Sequence, residues 1–158
     1  MAMVVPMRQV ADDPLRLREM LGRATGLACA HRLPCVVVGV AGREGDLLFP
    51  EIVDFLASAL RMDDAILRLT RERVVVMLTD VDRAGAEQIV RRILEDFAER
   101  FATFDEPRLR LGYFEVRPGT AHLTVKQVLP AVFCAEPRGE RDEAACDAEA
   151  DAEAPESD

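Results

Sequence analysis

The side chains able to bind or transform a ligand are concentrated between residues 61 and 73. Arg61 and Asp64 stand three apart just ahead of an apolar run, and Thr70-Arg71-Glu72-Arg73 forms a charged break between two apolar runs, 65–69 and 74–78. A guanidinium is a planar fork that can bridge two acceptors, and a carboxylate accepts from N–H donors. The same residues also have plainer roles. An arginine suits the carbonyl end of a helix, and an aspartate suits a turn. Metal chemistry finds few ligands here. Cys29, Cys35, Cys134 and Cys146 have no CxxC spacing, and His31 and His122 are the only histidines. A zinc site is therefore not expected, and the cysteines read as free thiols of a reducing compartment.

The elements that must hold these residues follow from periodicity. Asp13 before Pro14 is a helix start, and Leu15, Leu17, Met20, Leu21 and Leu27 give a helical stripe to about Arg32, weakened by Gly22 and Gly26. Residues 35–40 are a β-branched run and read as a buried strand. A helix from near Pro50 to near Arg61 carries Ile52, Val53, Phe55, Leu56 and Leu60. The two runs around the charged break read as a β-hairpin. Its second strand is so continuously apolar that it belongs at the centre of a sheet, buried on both faces. Asp82 caps a long helix to about Phe101, with Ile89, Val90, Ile93, Leu94, Phe97 and Phe101 on one side. At about 1.5–3 kcal/mol per large buried side chain, that face is a major part of the core. A strand over 108–116 and a short helix from Thr124 to Phe133 complete the order α-β-α-β-β-α-β-α. Pro130 inside the last helix costs about 3 kcal/mol unless it kinks the end. The class is α+β, a ferredoxin-like or palm-like antiparallel sheet with a central hairpin and helices packed on one face.

The length of 158 residues supports one domain with a real core. The net charge of −9 is unevenly spread, because residues 142–158 carry eight carboxylates and no base. The chain thus divides into a lead-in over 1–12, a nearly neutral domain over 13–137, and an acidic, disordered tail over 138–158. Such a tail argues against general nucleic-acid binding. No run is long enough to span a bilayer, and the apolar N-terminal run is too short for a signal peptide. A cytoplasmic protein without membrane contact is expected.

Several passages together resemble the GGDEF domain, the diguanylate cyclase family that makes cyclic di-GMP from two GTP molecules. H-R-L-P-C-V-V-V-G-V-A is similar to the family's first strand, and G-D-L-L-F-P-E-I-V-D-F-L-A-S-A-L-R to its GD-x-x-L helix. R-M-D-D-A-I-L-R-L-T-R-E-R-V is similar to the RxxD-x-x-x-R-x-GGDEF passage without insertion or deletion. L-R-L-G-Y-F-E-V resembles the S-x-G strand, and A-V-F-C-A-E-P-R-G-E-R the closing A-L-Y-x-A-K-x-x-G-R-N pattern without its lysine.

The departures from the family pattern bear on catalysis. Phosphoryl transfer needs carboxylate-held metal and two positioned substrates. The resemblance puts Gly39 and Ala41 where the family has metal aspartates in the first strand. Thr70 and Arg71 replace the two glycines of the signature turn, which let backbone approach the nucleotide. Glu72 stands at the metal-binding third position and Arg73 at the fourth, where a cation can neither accept a proton nor hold metal. Most of the guanine-recognising F-K-x-x-N-D loop is missing. The resemblance therefore implies a non-catalytic member with no cofactor or bound metal.

It also implies one retained site. Arg61 and Asp64 match the RxxD of the family's product-binding inhibitory site, and Arg92 falls at the position of its third residue. A guanidinium can bridge guanine O6 and N7, a carboxylate can accept from guanine N1–H and the amino group, and further arginines can face phosphate or stack on bases. The expected role is a cyclic di-GMP receptor acting on an unidentified protein partner, a second copy of the chain among the candidates. The alternative is a nucleotide-independent interaction or scaffold domain. In it Arg92 pairs with Asp96 four residues on, and Arg71-Glu72-Arg73 is a solvated hairpin tip facing a partner.

Overall fold

Apolar runs that switch between helical and strand periods bury themselves by stacking helices on a sheet. The computed structural model describes residues 14–102 and 108–133 and has this layered arrangement. In chain order the elements are α1 (Pro14–Ala30), β1 (Cys35–Ala41), α2 (Phe49–Ala59), β2 (Ala65–Arg68), β3 (Arg73–Thr79), α3 (Arg83–Arg100), β4 (Arg110–Val116) and α4 (Val125–Phe133). The order matches the sequence reading, with ends shifted by one or two residues. The strands form one sheet in the order β2-β3-β1-β4, with every neighbouring pair antiparallel. Asp13, the lead-in and the tail lie outside the described residues, as do Cys134 and Cys146.

The helices lie on both faces of the sheet, which corrects the expectation of one. Val36, Val38 and Val40 join α2 and α3 in one core, whereas Cys35 and Val37 join α1 and α4 in the other. The strand sequences require it. β1 is buried at all seven positions and β3 at five successive ones, so neither face can be left to water.

Local signals set the helix ends. The Asp82 carboxylate accepts the Gly85 N–H at 2.7 Å and caps α3. At the start of α4 the Thr124 N–H donates to Gln127 Oε1 at 3.0 Å, half of a capping box. That helix runs through Pro130 to Phe133. In the α1 stripe, Leu15 is exposed, and Ala24 and Ala28 fill the core beside Leu17, Met20 and Leu21.

The crossovers position the site. β1 and β2 both run antiparallel to β3, and β3 and β4 both run antiparallel to β1. Helices α2 and α3 therefore each connect strands of one direction, and they lie antiparallel to each other. Phe55 of α2 meets Phe97 of α3 edge-on, with ring centroids 5.5 Å apart. Phe101 and the Arg100 guanidinium close around the same ring.

Candidate functional site

Helix α2 stops because Leu60 turns to extended backbone (φ −73°, ψ 152°). The next four residues close on themselves. The Asp64 N–H donates to the Arg61 carbonyl at 3.1 Å, and the Arg61 N–H donates to Asp64 Oδ2 at 3.0 Å. Asp64 Oδ1 accepts the Thr79 N–H at 3.0 Å, and the Thr79 hydroxyl donates to the Asp63 carbonyl. One carboxylate thus fixes the turn and fastens it to the end of β3. Asp64 is half-buried, and each oxygen keeps a lone pair for a further donor.

Arg61 rides on this fixed turn with its side chain exposed. Among the described residues its guanidinium makes no ion pair. Arg92 is exposed on α3, and the expected pair with Asp96 is not formed. The Phe55–Phe97 contact sets the relative height of the two helices. Among the described residues no hydrogen bond or ion pair joins Arg92 to Arg61 or Asp64. Arg83, at the start of the same helix as Arg92, lies over the Tyr113 ring of β4. Arg68, just beyond the turn, is held by Asp54 of α2 and braces β2 against that helix.

The charged break is the tip of the β2–β3 hairpin. The Leu69 and Thr70 N–H groups donate to the Arg73 carbonyl at 3.0 and 3.2 Å, and the Glu72 N–H donates to the Thr70 hydroxyl at 3.3 Å. Thr70, Arg71 and Arg73 are exposed at this tip. Glu72 is half-buried, and its carbonyl accepts the Gly42 N–H at 2.8 Å. Arg73 is the first residue of β3, paired with Ala41, and its guanidinium lies 5.4 Å from the centroid of Phe133.

Helix α4 covers β1 at Gly39. Gly39 pairs with Gly112 across β1 and β4, and α4 rests directly on both. A Cβ on Gly39 would lie 2.7 Å from the Val132 Cβ, and one on Gly112 would lie 2.0 Å from the Val132 carbonyl oxygen. A carboxylate at 39 would have to enter space that Val132 fills. Glu72 stands without a second acidic side chain at 39 or 41, and among the described residues no group of three His, Cys, Asp or Glu side chains is gathered. Mg²⁺ in phosphoryl-transfer sites is held by one or two carboxylates together with substrate phosphates, and here Glu72 shares its cleft with Glu44 but has no acidic side chain beside it at 39 or 41. The close seat of α4 left only a weak trace in the sequence, a glycine in each of two apolar strands.

Among the described residues, two groups titrate away from their ordinary range. Burial pushes the Tyr113 hydroxyl up to about 12, with Glu87 adding to the shift. Burial likewise raises the Cys35 thiol, which is therefore a packed, unreactive sulfhydryl.

The family model for the diguanylate cyclase GGDEF domain matches residues 42–129. No curated protein matches the chain. Among solved structures, the active GGEEF domain of a diguanylate cyclase from Vibrio cholerae is similar at 16% identity and a TM-score of 0.57, covering 70% of this chain and 80% of that one. The GGDEF domain of DgcB from Caulobacter crescentus, in complex with c-di-GMP, is similar at 13% identity and a TM-score of 0.56, covering 72% and 81%. At those identities the likeness concerns the fold. PelD from Pseudomonas aeruginosa PA14 in complex with c-di-GMP is similar at 26% identity and a TM-score of 0.54, covering 68% of this chain and 41% of that one. No helix among the described residues is long and apolar enough to cross a membrane.

Proposed function

This chain belongs to the GGDEF domain family, and we propose that it is a non-catalytic member that binds cyclic di-GMP through Arg61, Asp64 and Arg92. The observation that carries the reading is the geometry of the turn. Arg61 is exposed on backbone locked by Asp64, and its guanidinium has no ion-pair partner among the described residues. A pre-fixed arginine loses little freedom when it takes a planar ligand. Its fork bridges guanine O6 and N7, the remaining lone pairs of Asp64 accept from N1–H and the amino group, and Arg92 faces phosphate or stacks on the base. The likeness to PelD, whose structure holds c-di-GMP, supports the same ligand.

Loss of cyclase chemistry is part of the proposal. It is supported by Val132 in the space beside Gly39, by Ala41, and by Thr70, Arg71 and Arg73 in the turn. A guanidinium at 73, stacked on Phe133, can neither take a proton nor coordinate metal. Incubation with GTP and Mg²⁺ or Mn²⁺ should give no cyclic di-GMP, and any turnover would overturn this part. The ligand reading is tested by calorimetric titration of the chain with cyclic di-GMP. Saturable binding that weakens at least tenfold in Arg61→Ala and in Arg92→Ala is expected. Absence of heat with ligand on the order of tens of micromolar, or unchanged affinity in Arg61→Ala, would refute it.

One observation favours the second reading, a nucleotide-independent interaction domain. Both Asp64 oxygens already serve backbone N–H groups, which accounts for that residue without any ligand. In that case the partner is a protein, and its capture is lost when Arg71 and Glu72 at the hairpin tip are altered.

A further inference from the structure

We propose that the end of the sheet beside the hairpin tip is a polyanion-binding cleft, and that its occupant is the chain's own acidic stretch, residues 142–158. Two adjoining clefts of about 400 and 410 Å³ open there, one lined by Arg43, Arg108 and Arg110, the other by Arg73 and Arg110. Glu44 borders both and Glu72 borders the second, so four arginines face two carboxylates. None of the four arginines forms an ion pair among the described residues.

The register explains why they converge. Ala41, the last residue of β1, pairs with Arg73 of β3 on one side and Arg110 of β4 on the other. Directly paired residues share a face, so both arginines leave the sheet on the side of Ala41, two strand spacings or about 10 Å apart. That separation is comparable to the screening length at ordinary ionic strength. The two cations therefore repel each other, and an anionic chain laid between them relieves it. This is the α4 side of the sheet, and Phe133, the last residue of α4, lies under the Arg73 guanidinium. The polypeptide thus leaves α4 at the edge of the cleft. Residues 134–141 can reach up to about 30 Å, which brings 142–158 over the arginines with length to spare.

Charge identifies the occupant. That stretch has eight carboxylates and no base, and accounts for eight of the nine net negative charges of the chain. A single exposed ion pair contributes little. Several carboxylates delivered by a short tether act at millimolar effective concentration. The inference is independent of any ligand at Arg61.

Amide NMR on the full chain tests it. A variant with all eight carboxylates of 142–158 changed to Asn or Gln is compared with the parent. The expected result is a set of shifts confined to the surroundings of Ala41, Gly42, Glu72 and Arg110. The parent spectrum should converge on the variant's near 1 M salt, where screening acts within about 3 Å. In the R73E/R110E background the same neutralisation should move nothing around the cleft. If that double variant does not fold, the salt series on parent and neutralised chain decides alone. No shifts at those amides, shifts centred instead on Arg61 and Arg92, or shifts indifferent to salt would each overturn the proposal. So would a cleft that ignores tail neutralisation but responds to added pyrophosphate, since its occupant would then be a different anion.

Discussion

Arg61 and Asp64 share one turn, but their side chains are used differently. Asp64 accepts from two backbone N–H groups, one in its own turn and one fifteen residues on at Thr79. Removing it leaves both donors short, and hydrogen bonds to charged groups contribute about 1.5–3 kcal/mol. Asp64→Ala should therefore lower stability by about 2 kcal/mol in urea denaturation, less than a fully buried site would lose because the residue is only half-buried. Arg61→Ala should stay within about 0.5 kcal/mol of the parent, as exposed substitutions do. An equal loss in both would mean that the guanidinium supports the fold and is not held in reserve for a ligand. The RxxD spacing was legible in the sequence, and so was the turn. The bond to Thr79 was not, because it depends on how β3 lies beside β2, a long-range pairing that no local pattern encodes. Arg92 was legible only through family spacing, since it lies on α3, a different element from the turn that carries Arg61 and Asp64.

Helix α4 and helix α1 meet their glycines in opposite ways, and the difference fixes the sign of substitution. Gly112 lies beneath the α4 backbone, where an added Cβ would come 2.0 Å from the Val132 carbonyl oxygen. Backbone cannot swing aside as a side-chain tip does, so Gly112→Ala should destabilise by about 3 kcal/mol, at the upper end of overpacking costs. Gly39→Asp adds a buried, unpaired carboxylate to the same clash and should do worse. Gly22 stands in the middle of α1, and a Cβ added there would meet nothing within 4 Å. At that position Gly22→Ala should stabilise by about 0.5–1 kcal/mol, the ordinary helix preference for alanine. Thermal melts of the three variants check all the signs together. Element order, the central hairpin and the Asp82 cap were readable from periodicity and capping residues. The placement of helices on both faces was half-readable: the uniformly apolar β1 and β3 demanded two covers, but nothing local said that α1 and α4 would supply the second.

For the whole molecule, protons and ligands act on stability by one route, since whatever binds the folded state better than the unfolded chain favours folding. Tyr113 is the only tyrosine and there is no tryptophan, so its ionisation can be followed alone by phenolate absorbance. Its folded pKa is raised to about 12 from 10.0. The folded state therefore keeps a proton that the unfolded chain releases. Its contribution is intact below pH 10, declines as the pH rises from 10 to 12, and is gone above. Stability should follow that course in alkaline titration, and a phenolate appearing near pH 10 in the folded protein would contradict it. Cyclic di-GMP should act in the same sense through the turn that joins α2, β2 and the end of β3. At a free concentration about one hundred times Kd, a ligand that binds only the folded state contributes about 2.7 kcal/mol. For a domain of this size that corresponds to a rise in melting temperature of roughly 5–10 °C. The rise should grow with the logarithm of ligand concentration and should not require Mg²⁺, because the proposed contacts are made by arginines and a carboxylate alone. It should disappear in Arg61→Ala while that variant melts with the ligand-free parent. A melting temperature that ignores cyclic di-GMP at every concentration would leave the interaction-domain reading in place, because a fold with no ligand for Arg61 has nothing to gain from it.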